Sequence, residues 1–312
     1  LGGAVARRLS ERGDETTVYQ RRPSGLGVHE ELGDIADASA VARAMDGADA
    51  VVHLAARVGV VGSWRDFERT NVEGTATVLS AARQAGVSRL VFVSSPSVAH
   101  AGESLVGAGA VPADPEGTSG HYARSKAMAE RLALGESDDE LSVVAIRPHL
   151  VWGPGDTQLI GRIIDRARSG RLATIGSGAA LIDTTYIDNA ADALVAALDR
   201  VDRLGGRALV VSNGEPRPIG ELVARIVTAG GLDETSLRVP VFVARFGGRM
   251  AERWWEFRGR TDDPPMTEFL AEQLSTAHWF DQRETREALE WQPAISLDEG
   301  FARLRDWFAG QG

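Results

Sequence analysis

Short aliphatic, β-branched runs alternate along this chain with longer segments whose apolar positions recur every three to four residues, which is how β-strands feeding amphipathic helices read. The runs at 16–20, 50–54, 89–94, 142–147 and 207–212 are predicted strands. Between them, 71–85 and 122–134 are predicted helices with one apolar stripe each. Such alternation predicts βαβ units, and hence an α/β fold with a doubly wound parallel sheet. There is no internal repeat and no low-complexity stretch.

The pattern loosens after residue 187. Residues 1–187 are expected to form the sheet domain. Residues 188–312 are expected to form mainly a smaller C-terminal substrate-binding portion, with some segments returning to the sheet. Helices are predicted at 188–201 and 220–230, followed by a less regular stretch, 237–280, that carries Trp254, Trp255, Phe257, Pro264 and Pro265. Its expected place is over a binding site; an ordinary docking helix would use an aromatic stripe equally well. The chain opens on Leu1-Gly2-Gly3-Ala4-Val5, already helical in pattern. A doubly wound sheet begins with a strand and a glycine-rich turn that sets a helix N-terminus under a pyrophosphate. Either roughly ten residues precede this sequence or the first strand is missing, and the former is expected because that strand is central.

Composition narrows the function. With 312 residues, 43% hydrophobic and 25% charged, the chain can bury a full core. A net charge of −10, with no basic run interleaved with aromatics, argues against nucleic acid as a partner. The absence of cysteine excludes disulfides, zinc-thiolate sites and thiol nucleophiles. No apolar run is long enough to span a membrane and no signal-peptide pattern opens the chain, so a cytoplasmic protein with a small-molecule ligand is expected. The six histidines show no ligand spacing, and no metal site is predicted.

Among 34 basic residues the only lysine is Lys126, and it stands four residues after Tyr122, one of three tyrosines. That spacing puts both side chains on one helix face. A neighbouring ammonium favours the phenolate and brings a tyrosine toward acid-base work at ordinary pH. Upstream, the apolar run at 90–93 ends in Ser94-Ser95-Pro96-Ser97. A hydroxyl at the C-terminal end of a strand can hold a substrate carbonyl oxygen, although serines there also form turns. Ser95 is the candidate, with Ser94 and Ser97 as substitutes. The second strand ends in Gln20-Arg21-Arg22 with no acidic residue between 16 and 26. Arginines suit the 2′-phosphate of NADP where an acid would suit the 2′-hydroxyl of NAD; they would also serve as solvated loop charges.

Taken in order, Val52-His53-Leu54-Ala55-Ala56, Asn71-Val72-Glu73-Gly74-Thr75, Ser94-Ser95, Tyr122-x-x-x-Lys126 and Arg147-Pro148-His149 through Trp152-Gly153-Pro154 resemble the extended short-chain dehydrogenases over nearly the whole chain. The resemblance implies a Rossmann fold and an NADP(H) cofactor site, NAD being the alternative. It implies that Tyr122 donates the proton, Lys126 clamps the cofactor ribose, Ser95 meets the carbonyl and Asn71 stands near the active site. It further implies that Asp34 and Ile35 hold adenine, that Leu54, Ala55 and Ala56 line the phosphates and ribose, and that Pro148, His149 and Leu150 line the nicotinamide. Gly2 matches the third glycine of the fingerprint, whose Gly-x-x-Gly part is missing. Within this family the chain is most similar to the 3β-hydroxysteroid dehydrogenase branch, through Ser94 to Val98, Arg147 to Pro154 and Pro264-Pro265-Met266-Thr267. That branch implies a β-keto or β-hydroxy acid with a large apolar body, such as a 2-alkyl-3-oxoalkanoate of olefin synthesis or a sterol. The segments 58–64 and 242–257 are expected to line its apolar channel. A sugar-nucleotide epimerase or dehydratase, and a non-catalytic NADP sensor, are the rival readings. A homodimer through the helices at 71–85 and 122–134 is also implied.

Overall fold

The computed structural model describes residues 1–59, 62–99, 102–233, 237–258, 267, 271–272 and 274–311. Its centre is set by two strands with apolar side chains on both faces. In β4 (Arg89–Val93) Leu90 and Phe92 enter one layer and Val91 the other. In β6 (Ser142–Pro148) Val143 and Ala145 oppose Val144 and Ile146, and these seven apolar side chains of the two strands are all buried. Strands covered on both faces read as unbroken apolar runs, which is why these two were visible in the sequence. They lie in a parallel sheet of order β11 (Ala208–Val211), β6, β4, β3 (Ala50–His53).

One layer over this sheet consists of α2 (Ala38–Ala44), α4 (Gly74–Ala85) and α5 (His121–Gly135), which contribute Val41, Val78, Leu79 and Ala129 to the core. The opposite layer is α1 (Gly2–Arg12), α7 (Ile187–Leu204) and α10 (Arg283–Leu289), with Val5, Leu194, Val201 and Leu289. Local signals fix the ends of these helices. Asp37 caps α2 by accepting from the backbone N–H groups of Ser39 and Ala40. Gly86 closes α4 at φ 72°, a left-handed position where a Cβ is strained.

The strand β1 (Thr17–Gln20) pairs in parallel with β2 (His29–Leu32) and has no hydrogen bonds to β3. Between β3 and β1, where the first strand of a doubly wound sheet runs, the described residues place none. The acidic β2 has no apolar run, so periodicity did not show it.

A second region packs on the carboxyl side of the sheet. It contains β5 (Leu105–Ala108), β7 (Val151–Trp152), β8 (Ala173–Ile175), β9 (Leu181–Ile182), β10 (Thr185–Tyr186), β12 (Arg217–Pro218), β13 (Leu237–Val239) and β14 (His278–Phe280), the longest array running β12-β9-β14-β5. With them are α3 (Trp64–Phe67), α6 (Ile160–Arg168), α8 (Ile219–Ala229), α9 (Val241–Phe257) and α11 (Leu297–Ala309). Its main cluster centres on Trp152, which stacks on Phe301 at 4.6 Å and meets Tyr186 edge-on at 5.4 Å. The two regions are joined through Asn189. Its Oδ1 accepts from the backbone N–H groups of Ala294 and Ile295, and its Nδ2 donates to Ile295 O and Asn213 Oδ1. Among the described residues no helix is long and apolar enough to cross a membrane.

Candidate active site

The strand β4 and the helix α5 bring the predicted trio together. Lys126 is 3% exposed, and its Nζ donates to Val93 O at 2.6 Å, at the end of β4, while lying 4.1 Å from the Phe92 ring centre. One turn earlier in α5, the half-buried Tyr122 hydroxyl stands beside the Ser95 side chain. Ser95 Oγ lies 2.9 Å from Ser97 Oγ and also accepts from the Ser97 N–H. Next to it, the buried Ser94 Oγ has no partner among the described residues. Sequence reasoning expected the ammonium to ease Tyr122 toward its phenolate. Here burial pushes Tyr122 up and the neighbouring Ser95 side chain opposes that, while Lys126 spends a proton on Val93 O.

Burial also brings Lys126 down to about 7, against the pull of Glu130 toward higher values. Glu130 sits one turn further along α5. It is 1% exposed and forms a two-bond pair with Arg147 of β6, itself 1% exposed, at 2.8 and 2.5 Å; Arg147 Nη1 also donates to Val111 O. Sequence reasoning missed this pair. The only signal was the helical spacing Tyr122, Lys126, Glu130.

Asn71 lies in a π-helical turn, Glu68–Glu73, leading into α4. Its Oδ1 accepts from Arg57 N; its Nδ2 donates to Arg57 O and to Ser125 Oγ, and Ser125 Oγ in turn donates to Tyr122 O. Both amide atoms are thus committed to the protein. Asn71 ties the loop after β3, with Leu54, Ala55 and Ala56, to the first turn of the Tyr122 helix. A single inserted residue re-aims a helix face, and such turns concentrate at functional sites. Beneath it, Thr75 Oγ1 donates to Asn71 O, so buried His53 must donate from Nε2 to Thr75. Burial and the charge on Lys126 lower His53 to about 3, which keeps it neutral.

The other predicted residues ring the carboxyl end of the sheet. Arg21 and Arg22 are exposed after β1 and make no hydrogen bond or ion pair among the described residues. The Asp34 carboxylate accepts from Arg69 at 3.0 Å and from Ala36 N, while Tyr19 OH donates to Asp34 O; Ile35 lies buried beside Gly74. Gly2, in the first turn of α1, faces open space. Pro148 ends β6. His149 is buried, its Nδ1 donating to Asp183 O. Leu150 is 40% exposed at φ 41°, a strained conformation for a branched side chain and one that clusters at ligand sites.

Asp183 is a second feature that sequence reasoning missed. Fully buried, it accepts from Ser212 Oγ, Gly214 N and Glu215 N, and burial outweighs these bonds to push it up to about 6. The aromatic segment departs from expectation. In α9, Phe242, Phe246, Met250 and Trp254 are 74, 67, 48 and 44% exposed and face away from the protein, rather than lining an enclosed channel. Val58 is likewise exposed. Val60, Val61, Pro264, Pro265, Met266 and the side chain of Phe257 lie outside the described residues.

Comparison with known proteins gives this arrangement a context. The model of the NAD dependent epimerase/dehydratase family matches residues 1–212. The chain is 40% identical to a 2-alkyl-3-oxoalkanoate reductase of Stenotrophomonas maltophilia, over 98% of this chain and 95% of the relative. A protein of the same name from Shewanella oneidensis is 34% identical, over 98% and 83%. A 3-beta-hydroxysteroid dehydrogenase of Mycolicibacterium neoaurum is 26% identical, over 99% and 88%. Among solved structures, MoeE5 in complex with UDP-glucose and NAD superposes with a TM-score of 0.76 at 26% identity, over 99% of this chain and 95% of that one.

Proposed function

This chain belongs to the NAD dependent epimerase/dehydratase family, and on that premise we propose that it is an NADP-dependent reductase of the 3-oxo group of a large apolar β-keto acid. That it is an NAD(P)-dependent oxidoreductase follows from the family and its named reductase and dehydrogenase relatives. The observation that carries the finer reading is the contact of Tyr122 with Ser95 beside a buried, lone lysine, at the carboxyl end of the central strand.

The residues around that strand fit a nicotinamide dinucleotide. Ser94 Oγ is an orphaned buried hydroxyl, and such groups are rare without a ligand or water. The exposed pair Arg21 and Arg22 would take a 2′-phosphate, and Ala55, Ala56 and Gly2 allow close approach of a phosphate chain. Pro148, His149 and Leu150 would border the ring, and Asp34 with Ile35 the adenine. When bound, the dinucleotide supplies the hydride that reaches the 3-oxo carbon. Ser95 holds the carbonyl oxygen as charge builds on it, with Ser97 fixing the Ser95 hydroxyl. Tyr122 gives its phenolic proton to that oxygen, and its raised pKa keeps that proton available at neutral pH. Lys126 holds the ribose and keeps a positive charge under the phenolate that is left. Asn71 acts through the backbone of Tyr122 and is a positioning residue.

The substrate class is supported by the likeness to the 40%-identical reductase; oxidation of a 3β-hydroxysterol is the same chemistry reversed. The likeness to a UDP-glucose complex at 26% identity favours a sugar-nucleotide reading, but only at the level of the scaffold. The test is nicotinamide absorbance with a 2-alkyl-3-oxo fatty acid, comparing NADPH with NADH and including Tyr122→Phe. NADPH-dependent turnover abolished in the variant is expected. Turnover of a UDP-sugar in place of the keto acid would overturn the reading.

A further inference from the structure

The helix α9 has two apolar faces, of which the protein uses one. Ala244 and Gly248 are buried, Ala244 packing with Ile175 and Ala271. At 100° per residue, Phe242, Phe246, Met250 and Trp254 form a band about 18 Å long on the opposite side. All four are exposed, as are Val243 and Leu237. A contiguous apolar patch of this kind on a water-soluble surface marks a site of association.

Charge identifies what it associates with. Arg245, Arg249 and Arg253 repeat the four-residue step in a second band offset by about 60°. Arg245 pairs with Glu272, and Arg258 lies 4.8 Å from the Trp254 ring. Residues 237–258 hold five arginines and two glutamates, a net +3, so the rest of the chain, which totals −10, carries −13. An acidic protein thus presents an exposed aromatic helix face beside a band of arginines. Tryptophan and phenylalanine beside arginine are the marks of a helix lying in the headgroup region of a bilayer. An isologous pairing of two such helices would set like charges against each other.

From this we infer that α9 docks the protein on the surface of a bilayer carrying anionic headgroups, with the Phe242-to-Trp254 band entering the acyl boundary. Beside α9, Gly102 faces the carboxylate of Glu272 that pairs with Arg245. The inference stands independently of the substrate assigned above.

Flotation of the chain with vesicles of phosphatidylcholine containing one-third phosphatidylglycerol, against phosphatidylcholine alone, tests it. Binding is expected to the anionic vesicles, with a blue shift of tryptophan fluorescence and loss at high salt. Arg253→Gln/Arg258→Gln should weaken it about 25-fold, taking about fivefold per basic side chain at such a surface. Phe242→Glu/Phe246→Glu should abolish it with unchanged circular dichroism, since both side chains are exposed. Equal binding to neutral vesicles, equal binding by the variants, or no binding would each overturn the proposal. A dimer that dissolves in Phe242→Glu/Phe246→Glu, without vesicle binding, would overturn it in favour of a second copy of the chain.

Discussion

Replacing Glu130 by glutamine keeps the shape of the side chain and removes one charge of a pair in which both partners are 1% exposed. Arg147 then keeps Val111 O and one amide oxygen for a guanidinium that has no water around it. Breaking one side of a buried pair costs about 3–5 kcal/mol, because the remaining charge is left uncompensated. For a chain of this size each kcal/mol moves Tm by about 2–4 °C, so a fall on the order of 10 °C is expected. In Glu130→Leu/Arg147→Met no charge is stranded. That double variant loses mainly the Val111 bond, about 1–3 kcal/mol, and should be the more stable of the two. Thermal and urea unfolding of both variants measure this. The kinetic readout is separate: Glu130 raises Lys126, whose value is about 7, so the single variant lowers it further. If the ammonium is the active form, the alkaline limb of kcat/KM moves to lower pH. A stability loss under about 1 kcal/mol, a double variant less stable than the single, or an alkaline limb that moves upward would refute this reasoning.

Asp183→Asn keeps a shape that accepts from Gly214 and Glu215 and can donate to Ser212. Because the folded carboxyl, at about 6, lies above its ordinary 3.8, wild-type stability falls as pH rises through that window, by up to about 3 kcal/mol. The variant's advantage in Tm should be absent near pH 3.5 and level off above pH 6; a pH-independent difference would contradict the burial argument. Gly300→Ala puts a Cβ 2.8 Å from Tyr186 and 3.0 Å from Trp152, and should cost about 1–3 kcal/mol by urea unfolding. Arg21→Ala/Arg22→Ala should raise KM for NADPH tenfold or more, at about 1.5–3 kcal/mol per charged hydrogen bond, and leave KM for NADH unchanged. A parallel rise for both cofactors would return the arginines to the solvent.

Signals confined to one element were legible in the sequence. The apolar runs of β4 and β6 placed the central strands within a residue, and the spacing of Tyr122 and Lys126 put both on one turn of α5. Features that need two distant elements were not. Glu130 and Arg147 meet across a helix and a strand, and Asp183 gathers its donors from about thirty residues downstream. The π-helical turn was read as ordinary helix because one extra residue per turn leaves the apolar periodicity of α4 intact. For α9 the pattern showed an aromatic stripe but not its direction, since small Ala244 and Gly248 form the packed face and give little apolar signal.

The stitching at Asn189 bears on how such chains can be recombined. Its four hydrogen bonds reach residues 213, 294 and 295, while α10 delivers Thr285 Oγ1 to Val210 O on the edge strand of the sheet. A chimera that crosses over between relatives at residue 187, taking everything after it as a substrate-recognition cassette, would move the asparagine with its partners but would pull the edge strand β11 out of the host sheet, where it pairs with β6. The interchangeable unit is therefore not a terminal half. It is an internal cassette that begins after Asn213 and ends before α10, grafted between two anchors, β11 and α10, that stay with the host sheet.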